Sequence, residues 1–202
     1  MASFNPQAKF CLILLILNMI CSEILLNTLS TAISKKKVEE LSQLTAADSD
    51  LAEQLLELTF HPKHEVAFRA AWILENIYLT NPLIFIPHLN WFLTNFPNQN
   101  NTSARRNFAK ILALITKKNA PKEIKEIVSS FKTDHLVETV FAWVIDDEVA
   151  VAIKSHCLNI LANLNTKHPW IKDELLQTMD FLVDKESIAF YAKAKQIRKQ
   201  LK

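Results

Sequence analysis

The segment HPKHE places His61 and His64 three residues apart. Two imidazoles at that spacing share one helix face and can hold a metal ion, but a closed zinc site takes four ligands. No second cluster of ligands follows nearby in sequence, and the pair stands where a helix begins. Both histidines are therefore expected as surface or capping residues. His156 and Cys157 offer a base and a nucleophile. Neighbours on a helix point about 100° apart, so these two cannot pair with each other. Asp146, Asp147 and Glu148 supply carboxylates. At a helix start, acids are explained by capping and by the positive end of the helix dipole. General acid–base work needs a second group converging in space. No catalytic residue, metal site or cofactor is expected from these candidates.

The elements that must position such residues are read from composition. The chain has 202 residues, is 50% hydrophobic and 22% charged, and carries a formal net charge of +2. It contains no glycine, where average usage would give about fourteen. Without glycine there is no GxGxxG or Walker A loop, no GxSxG elbow and no Asn-Gly hairpin. Most nucleotide-binding and α/β-hydrolase folds are excluded. What remains is a set of helices joined by turns of Pro, Asn, Asp and His. The length suits one domain and an ample core.

Cys11 and Cys21 are ten residues apart in one apparent helix, about 15 Å along its axis, and cannot form a disulfide. With Cys157 they read as free thiols in a reducing compartment, which places the chain in the cytoplasm. The apolar run from Phe10 to Cys21 is too short to span a bilayer, which needs about 20 residues. Two readings of residues 1–34 stand side by side: an N-terminal apolar helix, or a targeting segment ahead of an exported domain, with Ser30-Thr31-Ala32 as a loose cleavage site. Met19 is a further candidate start. The main domain is expected over 35–202.

Apolar periodicity predicts helices at 9–33, 36–44, 49–60, 65–80, 83–96, 102–118, 121–132, 134–145, 148–166, 169–183 and 187–201, the first two able to merge. Prolines punctuate them, and Pro87 moves the start of the 83–96 helix toward 86. Asp50 with Glu53 fits a capping box. Three boundaries resemble one another: LTNPLI, KNAPKEI and TKHPWI. Each ends a long apolar helix, then gives proline and a shorter amphipathic helix. Pro82, Pro121 and Pro169 are spaced as helix-pair repeats of ~40–47 residues would be.

KHEVAFRAAWILENI resembles the second helix of a HEAT repeat, with a basic residue ahead of alanines and periodic Leu/Ile. TSARRNFAKILALI and DEVAVAIKSHCLNILANL are weaker copies, with Arg105 or Arg106 and Lys154 near the basic position. The chain thus resembles a small HEAT/armadillo-type repeat protein over about residues 35–185. The resemblance implies an all-α fold, a right-handed stack of antiparallel helix pairs, and a non-catalytic scaffold whose partner is another protein. A second comparison is with DNA-alkylation-repeat glycosylases, HEAT-like proteins that use tryptophans and an aspartate in a basic cleft. Trp72, Trp91, Trp143 and Trp170, with Asp146 and Asp147, are the residues to set against it. That alternative implies nucleic-acid binding, with glycosylase-like chemistry.

Two surfaces are candidates for interaction. On the 65–80 helix, Glu65, Arg69, Trp72 and Asn76 form a polar-aromatic strip between an apolar face of Val66, Ala70, Ile73, Leu74 and Ile77 and a second side bearing Phe68 and Leu79. Glu65 stands four residues before Arg69, the favourable order for an ion pair, and Trp72 can stack under the guanidinium; Arg69 is expected to bond inward to neighbouring carboxylates or helix-end carbonyls. Residues 61–120 hold seven Lys/Arg against two Asp/Glu. Within them Arg105, Arg106, Lys110 and Lys117 make the 102–118 helix basic, with Arg106, Lys110, Ala113 and Lys117 on one outer stripe. A solvated face and a docking site for an acidic partner or nucleic acid are both consistent with that stripe.

Overall fold

The computed structural model describes residues 23–202, and all regular structure among them is helical. Helix α1 is described over 23–30. It is followed by α2 (Lys35–Ala47), α3 (Ser49–Leu58), α4 (His64–Thr80), α5 (Leu89–Asn95), α6 (Thr102–Ile115), α7 (Lys122–Ser130), α8 (Asp134–Ile145), α9 (Val151–Leu164), α10 (Ile171–Leu182) and α11 (Ile188–Gln200). The readings of Cys11, Cys21, Met19 and the Phe10–Cys21 run lie outside the described residues. Residues 31–34 are not helical, so α1 and α2 stay separate.

Several boundaries differ from the periodicity, each for a local reason. Asp48, not Asp50, caps α3: its Oδ1 accepts from the amides of Asp50 and Leu51 at 3.0 and 3.2 Å. The expected 83–96 helix is a 3₁₀ segment over Pro82–His88, then α5, then a 3₁₀ turn over Phe96–Asn98. Pro87 has no amide and disfavours α geometry at Ile86, so the α-helix starts only past it. Helix α6 stops at Ile115 rather than 118 because the chain tightens into turns ahead of Pro121, Lys117 N donating to Leu114 O and Ala120 N to Lys117 O. The three acids do not form the first turn of α9. Asp146 ends α8, and its Oδ1 accepts from Glu148 N at 2.9 Å in a turn that holds the chain non-helical until α9 begins at Val151.

Internal contacts divide the chain into two compact units, with the boundary inside α4 after Ile77. In the first unit, Leu25, Leu29, Val38, Leu55, Leu56, Val66, Ala70 and Ile73 are buried. The buried Ser42 hydroxyl donates to Val38 O at 2.7 Å and lies 3.3 Å from Ile73 O, so one polar group is satisfied where α2 meets α4.

In the second unit α9 is the central helix, packed by α6, α8, α10 and α11. Its Ile153, Cys157, Leu158, Ile160, Leu161 and Leu164 are buried, and so is Lys154, at 1% exposure. The Lys154 ammonium pairs with the Glu186 carboxylate in the turn before α11. A run of rings fills the space beside α6. Tyr78 meets Phe85 edge-on at 5.5 Å, Phe85 meets Phe92 at 5.4 Å, and Phe92 lies 4.9 Å from Phe108 and 6.1 Å from Phe96. Phe96 in turn lies 4.9 Å from Trp143. Edge and offset contacts of this kind add to the burial of apolar area.

Burial pushes the Tyr78 phenol from 10.0 up to about 12. The folded state then keeps its proton where the unfolded state has lost it. The stability this linkage supplies is complete below pH 10 and falls as pH rises from 10 toward 12. Tyr78→Phe is expected to remove that part of the alkaline loss, read as a smaller drop in urea midpoint between about pH 9 and about pH 11.

Candidate functional site

Helix α4 buries one broad side, made of Val66, Ala67, Ala70, Ala71, Ile73, Leu74, Ile77 and Tyr78. The second apolar side expected at Phe68 and Leu79 is not buried: Leu79 is 49% exposed and Phe68 half-buried. Ala67, Ala71 and Tyr78 extend the first side instead. Glu65 is exposed, and Arg69, Trp72 and Asn76 are half-buried along the strip. Arg69 Nη1 donates to the Leu29 carbonyl at 2.7 Å, in the last turn of α1. Of the two kinds of partner expected for Arg69, a carboxylate or a helix-end carbonyl, it takes the second. Trp72 lies parallel to Phe68 at 6.1 Å, 17° between planes, rather than under the guanidinium. A cation that satisfies a helix C-terminus compensates its negative partial charge. Arg69→Ala is expected to cost about 1–3 kcal/mol, because a hydrogen bond made by a charged group is lost at a part-buried site. Chemical denaturation checks this.

Helix α6 starts at Asn101, whose Oδ1 accepts from the amides of Ser103 and Ala104 at 3.1 and 2.9 Å. The four cations expected on the 102–118 helix do not act together, and Lys117 lies past its end. Arg105 Nε donates to Gln99 O at 2.8 Å, and the guanidinium lies 5.0 Å from the centre of the Trp143 ring. Arg105 therefore ties the 99–101 turn to α8. Arg106 and Lys117 are exposed and Lys110 is half-buried. Ala113, expected on the outer stripe, is buried at 4%, as are Asn107 at 5% and Ala109. The outer surface of α6 is narrower than its pattern suggested because neighbours cover it on more than one side. Among the tryptophans, Trp143 is buried against Phe96, while Trp170 is 52% exposed and stacks on Phe141 at 5.8 Å.

A third group of cations takes in Lys117 of the expected outer stripe. The C-terminal ends of α6, α7, α9 and α11 surround a cavity of about 550 Å³. Lys117, Lys118, Lys125 and Lys167 line it, with Ile115, Val128, Leu164 and Leu201 among the apolar walls. Asn163 braces its floor, donating to Ala113 O and Thr116 Oγ1 at 3.2 Å each and accepting from Gln200 Nε2 at 3.1 Å. Lys167 Nζ donates to Val128 O, Ser129 O and Phe131 O at 3.2, 2.8 and 2.5 Å, closing the end of α7. Burial holds the Lys167 ammonium below the ordinary lysine range, against the opposing charge of Asp134. Beside it His168 Nε2 lies 2.7 Å from Thr133 Oγ1. Only a fragment of this group showed in the sequence, as Lys118 and Lys167 ahead of the prolines of KNAPKEI and TKHPWI.

Among the described residues no group of three or more His, Cys, Asp and Glu could hold a metal ion. His61 Nδ1 accepts from Lys63 N at 3.0 Å in the turn before α4. Cys157 is fully buried, and burial pushes its thiol well above the ordinary range, which leaves it inert as a nucleophile at neutral pH. No described helix is long and apolar enough to cross a membrane.

Comparison with known proteins agrees with this architecture. The model of the HEAT repeat domain matches residues 25–201, a wider span than the three resembling boundaries cover. No curated protein and no solved structure matches the chain. Prolines that open successive helices, an inward cation at Arg69 and another at Lys154, and a match across nearly the whole length lead to one assignment: this chain belongs to the HEAT repeat domain family.

Proposed function

We propose that the chain is a non-catalytic protein-interaction module, with the open side of α4 as a contact surface. The observation that carries this reading is Trp72, half-buried and stacked on Phe68, with Glu65 exposed about two turns before and Asn76 one turn after. A rigid aromatic pair with a polar rim has the make-up of an interface anchor. Helical repeat proteins commonly present such surfaces to other proteins, and membership of the family supports the same role. The buried thiol of Cys157 suits a reducing compartment such as the cytoplasm. The nucleic-acid alternative retains Arg106, Lys110 and Lys117, whereas Arg105 and Trp143 are engaged with each other.

The test is affinity purification with quantitative mass spectrometry on wild type, Trp72→Ala and Glu65→Lys. At least one partner is expected to be recovered reproducibly with wild type and depleted about tenfold with each variant, a loss typical of interface anchors. An unchanged partner set in both variants, or no reproducible partner, overturns the reading. A duplex DNA titration at two salt concentrations addresses the alternative, since phosphate contacts weaken steeply with salt.

A further inference from the structure

The cavity at the ends of α6, α7, α9 and α11 carries more positive charge than its helix ends require. Helix C-termini attract cations, and two of the lining lysines serve that purpose: Lys167 takes three carbonyls of the 128–131 turn, and Lys125 Nζ lies 3.5 Å from Lys118 O. Lys117 and Lys118 are exposed at the rim, and no ion pair engages either among the described residues. No carboxylate lines the cavity. Burial, and after it the charge of Lys117, hold the Lys193 ammonium of α11 below the ordinary lysine range, and Lys193 Nζ donates to the neutral Gln196 at 3.2 Å. Like charges gathered without a counter-charge oppose each other, and an anion in the cavity would relieve this.

The lining also restricts the anion. The volume, about 550 Å³, is that of a small-ligand site rather than of a groove for an extended chain. The cations are lysines, which meet phosphoryl oxygens as point charges. Arginine, which forks onto carboxylates, is absent from the lining. Ile115, Val128, Leu164 and Leu201 offer an apolar wall, with no aromatic side chain to stack a base. We propose that this cavity binds an organic polyphosphate, its phosphoryl groups on Lys117 and Lys118 and its organic body on the aliphatic wall. This binding is independent of the α4 surface.

Isothermal titration of the full chain at about 0.1 M salt tests it, with magnesium-free ATP, inorganic pyrophosphate and hexaglutamate as probes. ATP and pyrophosphate are expected to bind saturably, ATP the tighter, and hexaglutamate more weakly than either. Lys117→Gln with Lys118→Gln should weaken both phosphates by about tenfold or more, as loss of charge-assisted hydrogen bonds does. Both lysines are exposed, so the double variant should keep its fold, checked by circular dichroism. Lys122→Gln with Lys132→Gln, outside the cavity, should leave affinity unchanged. The proposal is overturned by no saturable binding, by hexaglutamate binding as tightly as pyrophosphate, by ATP no tighter than pyrophosphate, or by equal weakening in the two double variants.

Discussion

Phe92→Ala is expected to lower the free energy of unfolding by about 3–5 kcal/mol, the range for a large aromatic removed from a closed core. Phe92 has no exposed surface and stands at the junction of the ring run, against Phe85, Phe96 and Phe108. Removing it leaves three rings facing a void that none can fill without leaving its own rotamer. The loss should be read as a lower urea midpoint with the slope retained. Phe181 provides the contrast. It is 61% exposed, with Lys185 Nζ 3.4 Å above its ring, and Phe181→Ala should cost less than about 1 kcal/mol. Equal losses in the two variants would mean that the rings do not form the core of this unit.

The second large effect concerns Lys154 and Glu186. Glu186→Gln is expected to cost about 3 kcal/mol, because it leaves an ammonium at 1% exposure without a counter-charge. The carboxylate is less deeply placed, at 16%, so the figure is set at the lower end of the range for broken buried pairs. The double variant Lys154→Met with Glu186→Leu removes both charges and fills the space with apolar atoms. It should return to within about 1 kcal/mol of wild type or exceed it. A coupling energy near zero in the double-mutant cycle would show that the pair does not hold α9 to the turn before α11.

These two sites mark where sequence reasoning reached its limit. Helices and their order were legible because caps and prolines act within a few residues: Ser34 caps α2, Asn101 caps α6, and Pro121 and Pro169 stand at turns between helices. The inward role of Arg69 was legible in type but not in partner, since Leu29 lies 40 residues away. Lys154 was placed at the same repeat position, yet its acid lies 32 residues on, beyond any local pattern. Arg105 and Arg106 show the remaining gap. Adjacent residues on one helix face different sides, and only the packing around α6 decides that Arg105 turns to Trp143 while Arg106 meets solvent. The lysine-lined cavity was hidden for the same reason, since four helix ends from distant segments build it.

No described residue has a positive φ, and the chain has no glycine with which to adopt one freely. The consequence extends to the state that no folded structure displays. Glycine gives an unfolded chain its widest choice of backbone conformations, and replacing it where the native geometry allows stabilises a protein by narrowing that choice. A chain lacking about fourteen expected glycines starts from a stiffer denatured ensemble and has less backbone disorder to give up on folding. Introducing glycine at exposed helical positions would loosen that ensemble, even where the substituted side chain touches nothing.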